Sequence, residues 1–86
     1  MSYIDPSTNF IIPDKPATLV NSSSILGYSY NDQTYELFIW YKGKKQAVYR
    51  YLMVYPVTLA QVFNSGPGIG LRARNILKSL PKMKVR

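Results

Sequence analysis

Basic side chains crowd the second half of the chain, and they are the residues whose type and spacing best suggest chemistry. Before Lys42 there are four acids and one basic residue, which gives a formal charge of 1 − 4 = −3. From Lys42 to Arg86 there are ten basic residues and no acid, which gives +10 and a total of +7. Unopposed positive charge favours nucleic-acid, acidic-protein or anionic-surface partners. The simpler alternative is a solvated surface that keeps a small protein soluble.

Aromatic side chains lie among these basic residues and could stack on nucleobases. Trp40 is the best stacking candidate, because it lies opposite the aliphatic face of its strand and next to a lysine-rich loop. Tyr49 and Tyr51 are more simply explained as core, since so small a domain has few aliphatic residues to fill its interior. The predicted phosphate contacts are Lys42, Lys44, Lys45, Arg50, Arg72, Arg74 and Lys78.

Catalysis and metal binding are not expected. The chain has no Cys and no His, which removes the thiolate and imidazole groups that most often act as metal ligands, nucleophiles or general bases. Asp32 falls in a turn and Glu36 is alone on a strand, so no carboxylate pair is available for acid–base catalysis. The serines at 22–24 are typical of a loop rather than of a nucleophile. We therefore expect a protein that is not an enzyme and needs no cofactor.

The segment Gly66-Pro67-Gly68-Ile69-Gly70 superficially resembles a phosphate-binding loop, because a predicted helix follows it. Backbone N–H groups and the helix dipole at such a position favour an anion. The segment lacks the Lys-Ser/Thr ending of a nucleotide-binding loop, and a turn between two helices requires glycine in any case. The pattern favours a structural turn over a phosphate site.

The sequence patterns around these side chains indicate three strands followed by two helices, which predicts an α+β domain. Residues 25–30, 35–41 and 46–53 indicate a three-stranded antiparallel β-meander, with Gly43 in its second hairpin loop. Two short helices follow, over residues 56–65 and 69–80, because Pro56 suits a first helical position and apolar residues recur at helical spacing in both. One face of the sheet must cover the helices, and the sequence does not decide which.

Residues 1–21 predict an extended N-terminal arm, because three prolines interrupt any periodicity there. The arm could lie along its own domain or pair with a neighbouring subunit, so a homo-oligomer is possible. The domain proper is expected over residues 22–81, and residues 82–86 are expected to be a mobile basic tail. No long apolar run or signal-peptide pattern is present, which favours a cytoplasmic protein, in the host cytoplasm if it is phage-encoded.

The order of these segments resembles the KTSC domain, a short module found at the C-terminus of some lysyl-tRNA synthetases and also alone in bacterial and phage proteins. The resemblance covers about residues 22–76. Residues 22–25 resemble the family's opening serine and isoleucine, Tyr49-Arg50-Tyr51 its central Tyr-x-Tyr, and Val54 with Pro56 its helix start. Leu71-Arg72 replaces the family's aromatic–asparagine pair. The resemblance implies the α+β fold and, through the synthetase, suggests RNA binding.

The primary hypothesis is a non-catalytic module that binds RNA or single-stranded nucleic acid through a basic, aromatic-rich surface. The alternative is a phage structural module or a host-protein-binding, inhibitory module whose partner is an acidic protein. No membrane partner is expected.

Overall fold

The structure is a computed structural model that describes residues 3–4, 11–43 and 47–86. The class is α+β, as predicted. Lys44 and Lys45, two of the predicted phosphate contacts, lie outside the described residues. The elements in chain order are β1 (Tyr3–Ile4), β2 (Ile11–Ile12), β3 (Thr18–Leu19), β4 (Ile25–Asn31), β5 (Glu36–Tyr41), β6 (Val48–Tyr51), α1 (Pro56–Phe63), α2 (Ile69–Leu77) and β7 (Lys82–Lys84).

The main sheet contains five antiparallel strands in the order β3-β4-β5-β6-β7, and β1 pairs with β2 separately. The prediction of a three-stranded sheet is therefore wrong, because an edge strand is added on each side. β3 comes from the predicted arm and β7 from the predicted tail. Both are short, at two and three residues, and β7 has none of the β-branched and aromatic residues that indicate a strand from sequence. The expectation of a mobile tail is corrected for Lys82–Lys84.

The two helices begin where the sequence indicates and pack on one face of the sheet. Pro56 occupies the first turn of α1, where a missing N–H costs nothing. Gly68 precedes α2 with a φ of 87°, a conformation that favours glycine. The core between helices and sheet comprises Ile25, Leu37, Ile39, Tyr51, Val54, Val62, Ala73 and Leu77. The face of β5 that bears Leu37 and Ile39 thus covers the helices.

The opposite face of the sheet is also covered. Phe38, Trp40 and Val48 form a second buried cluster with Ile12, and Val85 packs against it. Part of the arm and part of the tail therefore supply the apolar cover for the face that the helices leave open. A small domain gains core volume in this way without a third helix.

The part of the arm that contacts β4 lies along its own domain. A Cβ on Gly27 would lie 2.8 Å from Cβ of Pro16 and closer still to the carbonyl oxygen of Thr18, so only glycine allows this approach. The Arg86 guanidinium donates to the carbonyl oxygens of Pro13 at 3.0 Å and Asp14 at 3.2 Å. The arm therefore contacts β4 through Pro16 and Thr18, and it contacts the C-terminal residue Arg86 through Pro13 and Asp14.

Candidate functional site

A groove of about 770 Å³ runs between α2 and the β6–β7 edge of the sheet. We call it the basic groove, because Arg74, Lys78 and Lys82 line it and no acidic residue does so within the described part of the chain. The other lining residues are Ser24, Tyr41, Tyr51, Gly70, Leu71, Ala73, Asn75 and Leu77. A groove with one sign of charge raises the local concentration of an oppositely charged ligand.

The cations of the groove come from two elements, the C-terminal part of α2 and the edge strand β7. Arg74 and Lys78 are four residues apart, so they lie on one face of the helix. Lys82 is the cross-strand partner of Tyr51, and Lys84 is that of Tyr49. Partners across a ladder share a face, so both lysines are on the helix side of the sheet. Lys84 therefore extends the positive surface beyond the groove.

Two tyrosines of the groove share a hydrogen bond. The Tyr41 and Tyr51 hydroxyl oxygens are 2.6 Å apart, and either hydroxyl can be the donor. Burial raises the pKa of Tyr41, and the hydrogen bond that it shares with Tyr51 raises it further. Burial likewise raises the pKa of Tyr51. Both groups remain protonated over the whole physiological range and can act as neutral hydrogen-bonding groups beside the cations.

The tyrosine pair predicts a loss of stability in alkaline solution. In the unfolded chain both hydroxyls ionise at about pH 10, whereas in the folded protein they stay protonated at that pH. The stabilising contribution is complete below that pH and is lost as the pH rises toward the folded-state values, because the unfolded state then binds fewer protons. We expect the urea midpoint, measured by circular dichroism, to decrease less steeply with pH above about pH 10 for Tyr41→Phe than for the unchanged protein. If both proteins show the same pH dependence, the Tyr41 hydroxyl is not the group responsible.

Two predicted binding residues lie in the interior instead of on a binding surface. Trp40 is 5% exposed and packs in the second cluster, on the face away from the groove. Arg50 is 3% exposed, and its Nε donates to Oε2 of Glu36 at 2.6 Å. The role of Trp40 as a base-stacking residue and that of Arg50 as a phosphate contact are corrected on this geometry. The arm and Val85 cover the face that the sequence left open.

The remaining predicted cations divide into groove residues and residues engaged elsewhere. Arg74 and Lys78 line the groove. Lys42 is exposed and donates through Nζ to the carbonyl oxygen of Ser22 at 2.6 Å. Arg72 donates to the carbonyl oxygen of Val62 at 3.1 Å and to those of Gly66 and Pro67. Arg72 thus fastens the glycine-rich segment, which supports the structural interpretation of that turn.

Four residues at or beside the groove were not among the predicted binding residues: Lys82, Lys84, Tyr41 and Tyr51. The two lysines were assigned to the tail, although Lys82-Met83-Lys84-Val85 alternates between charged and apolar side chains as an edge strand does. The tyrosines carry no sequence signal of their pairing, because their hydroxyls meet only through the folded sheet.

Within the described residues, no group of three or more His, Cys, Asp and Glu side chains is placed to hold a metal ion. In that same part of the chain, no helix has the length and apolarity needed to cross a membrane. Glu36 is engaged by Arg50 and by the Thr34 hydroxyl, which donates to its Oε1 at 2.7 Å. The carboxylate of Glu36 is therefore paired and hydrogen-bonded inside the sheet and is not available as a catalytic or metal-binding group.

Comparison with known proteins gives no family for this chain. No protein-family model matches it, and no curated protein matches it.

Proposed function

We propose that the chain is a non-catalytic module that binds RNA or single-stranded nucleic acid in the basic groove. The observation that carries the proposal is the convergence of Arg74, Lys78 and Lys82 on one groove, with no acid among the described residues that line it. Phosphate contacts of this kind supply most of the affinity in binding that does not depend on sequence. Lys84, on the same side of the sheet, extends the path that a phosphate backbone would follow.

Aromatic and apolar surface for the nucleobases is available beside these cations. The half-buried Tyr49 ring stands edge-on to Tyr41 at 5.7 Å and is stacked near Tyr51 at 6.4 Å. Leu71 lines the groove and is 64% exposed. Stacking on aromatic rings tolerates any nucleobase, so this surface suits a single strand of unrestricted sequence. These residues take over the stacking role predicted for Trp40.

Binding is expected to weaken steeply as salt is added. If Arg74, Lys78, Lys82 and Lys84 each neutralise one phosphate of a single strand, log affinity falls against log salt with a slope of about −2.8. Replacing Lys82 and Lys84 by alanine removes two contacts, so the slope should decrease in magnitude by about 1.4. Fluorescence anisotropy of labelled single-stranded RNA and DNA, titrated between about 50 and 200 mM salt, measures both slopes.

Lys15→Ala is the control for net charge, with one positive charge removed outside the groove. Lys15 is exposed, and it belongs to the stretch that follows Ile12 on the opposite side of the sheet. This variant loses one positive charge but no groove residue, so its slope should equal that of the unchanged protein. A decrease of about 0.7 in the magnitude of the slope in Lys15→Ala, half that of the double lysine variant, would assign the effect to net charge instead of the groove. Absence of binding at the lower salt would overturn the proposal.

The alternative function, a phage structural or host-protein-binding module, uses the same cations on an acidic protein. Affinity capture from a nuclease-treated lysate separates the two. A partner that survives nuclease, together with no titratable binding of RNA or DNA, would favour the protein-binding alternative.

We also propose that the chain is a divergent relative of the KTSC domain. This proposal rests on the order in the chain of the serine loop at residues 22–24, the segment Tyr49-Arg50-Tyr51 and the helix start at Pro56.

A further inference from the structure

The basic groove carries three kinds of chemistry that correspond to the three parts of a nucleotide. Cations suited to a phosphate come from Arg74, Lys78 and Lys82. Leu71 offers exposed apolar surface suited to a nucleobase. Neutral hydroxyl groups suited to a sugar come from the Tyr41–Tyr51 pair. A volume of about 770 Å³ is within the range of sites that bind small organic ligands, so the groove is large enough for a nucleotide.

The tyrosine pair has hydrogen-bonding capacity that the protein does not use. Two hydroxyls carry two protons, and the bond of 2.6 Å between them uses one. Throughout residues 11–43 and 47–86, neither hydroxyl has another hydrogen-bond partner. Tyr51 is only 6% exposed as a whole residue, yet both tyrosines line the groove. One proton and several lone pairs are therefore held at the groove for a ligand.

A ribose 2′-hydroxyl matches this capacity, because it is both a donor and an acceptor. It can accept the remaining tyrosine proton and donate to a tyrosine lone pair. Deoxyribose places a C–H group at the same position and leaves both needs unmet. Sites built to hydrogen-bond a hydroxyl discriminate against ligands that lack it, because buried polar groups then stay unpaired.

We propose that the basic groove selects RNA over DNA because the Tyr41–Tyr51 hydroxyl pair binds a ribose 2′-hydroxyl. This inference rests on the proposed function of the groove and names the ligand class that the groove prefers. The cations hold the phosphates of either nucleic acid, and the tyrosine pair adds the contact that only a ribose can make.

The test compares three labelled oligonucleotides of one uracil-containing sequence: RNA, 2′-deoxy DNA and 2′-fluoro RNA. We expect the unchanged protein to bind RNA about tenfold more tightly than DNA, the factor that one good hydrogen bond supplies. The 2′-fluoro RNA should bind as weakly as DNA, because it keeps an RNA-like backbone but lacks the hydroxyl proton. If it binds as tightly as RNA, the preference comes from backbone shape, and the inference is overturned.

Protein variants assign the preference to the pair. The double variant Tyr41→Phe with Tyr51→Phe should lower the affinity for RNA to that for DNA, because it removes both hydroxyls and keeps both rings. Tyr55→Phe is the matched control, because Tyr55 is exposed and does not line the groove, and it should keep the tenfold preference. A preference retained in the double variant, which lacks both hydroxyls, would overturn the assignment to the pair.

The oligonucleotide comparison uses the unchanged protein, so it decides the matter even where a tyrosine variant does not fold. Equal affinity for RNA and DNA would overturn RNA selection and leave the proposed function standing. Absence of binding to all three oligonucleotides would overturn the proposed function and the inference together.

Discussion

Arg50→Met is expected to lower the free energy of unfolding by about 3–5 kcal/mol, the loss typical of breaking a buried ion pair from one side. Arg50 and Glu36 are both buried, and the Arg50 Nε lies 2.6 Å from Glu36 Oε2. Removal of the guanidinium leaves the Glu36 carboxylate without its main counter-charge in a site that water barely reaches. Urea denaturation followed by circular dichroism measures the loss.

The double variant Glu36→Leu with Arg50→Met provides the control. It removes both charges and keeps similar side-chain volumes, so the interior becomes apolar and most of the lost stability should return. The recovery in the double variant separates an ion-pair effect from a packing effect. If Arg50→Met alone costs less than about 1 kcal/mol, the pair is hydrated, contrary to its burial in the structure.

This ion pair also bears on the interpretation of binding data. If a variant of Arg50 fails to bind nucleic acid, the cause is the loss of the buried ion pair and of the folded sheet, and the result gives no information on a phosphate contact. Groove variants such as Arg74→Ala and Lys78→Ala change exposed or rim side chains, so they test binding with little effect on the core.

The helical part of the fold could be predicted because its signals are local. Pro56 marks the start of one helix, and Ala73 and Leu77 recur at the spacing that buries one stripe of the other. The central strands β4, β5 and β6 were also accessible, because aromatic and β-branched residues crowd them. Each of these patterns is complete within about ten residues of sequence.

The cover of the second sheet face could not be predicted, because it depends on contacts distant in sequence. Alternation along β5 separates Leu37 and Ile39 from Phe38 and Trp40, but it does not say that both sets are buried. Burial of the second set requires Ile12 from the arm and Val85 from beyond β7. Trp40 was therefore predicted at the surface, although it belongs to the interior.

The site was accessible only in part, for the same reason. Arg74 and Lys78 follow from the basic face of one helix, which is a local pattern. Their neighbour Lys82 joins them only when β7 pairs with β6, and the partners Tyr41 and Tyr51 lie on different strands. Charge asymmetry indicated a cationic surface, whereas its shape and its hydroxyl pair required the tertiary fold.

Removal of residues 82–86 is expected to lower both stability and binding. Their strand pairs with β6, and beyond it the Val85 amide donates to the carbonyl oxygen of Val48 at 2.8 Å. Val85 also packs on the second cluster, and the Arg86 guanidinium binds the arm. Loss of one half-buried aliphatic side chain and several backbone hydrogen bonds amounts to about 2–4 kcal/mol. The salt slope for a single strand should decrease in magnitude by about 1.4, because Lys82 and Lys84 are lost.

The full-length variant Lys82→Ala with Lys84→Ala separates the two effects. It keeps the β7 backbone, Val85 and Arg86, and removes only exposed charges, so its urea midpoint should stay close to that of the unchanged protein. Its salt slope should match that of the truncated chain, because both proteins lack the same two phosphate contacts.

Hydrogen exchange gives an independent measurement. The Val48 amide donates to the Arg86 carbonyl oxygen at 3.2 Å, so this amide should lose protection only on truncation. A truncated chain as stable as the full one would mean that residues 82–86 are the mobile tail expected from sequence and that β7 contributes nothing to the sheet.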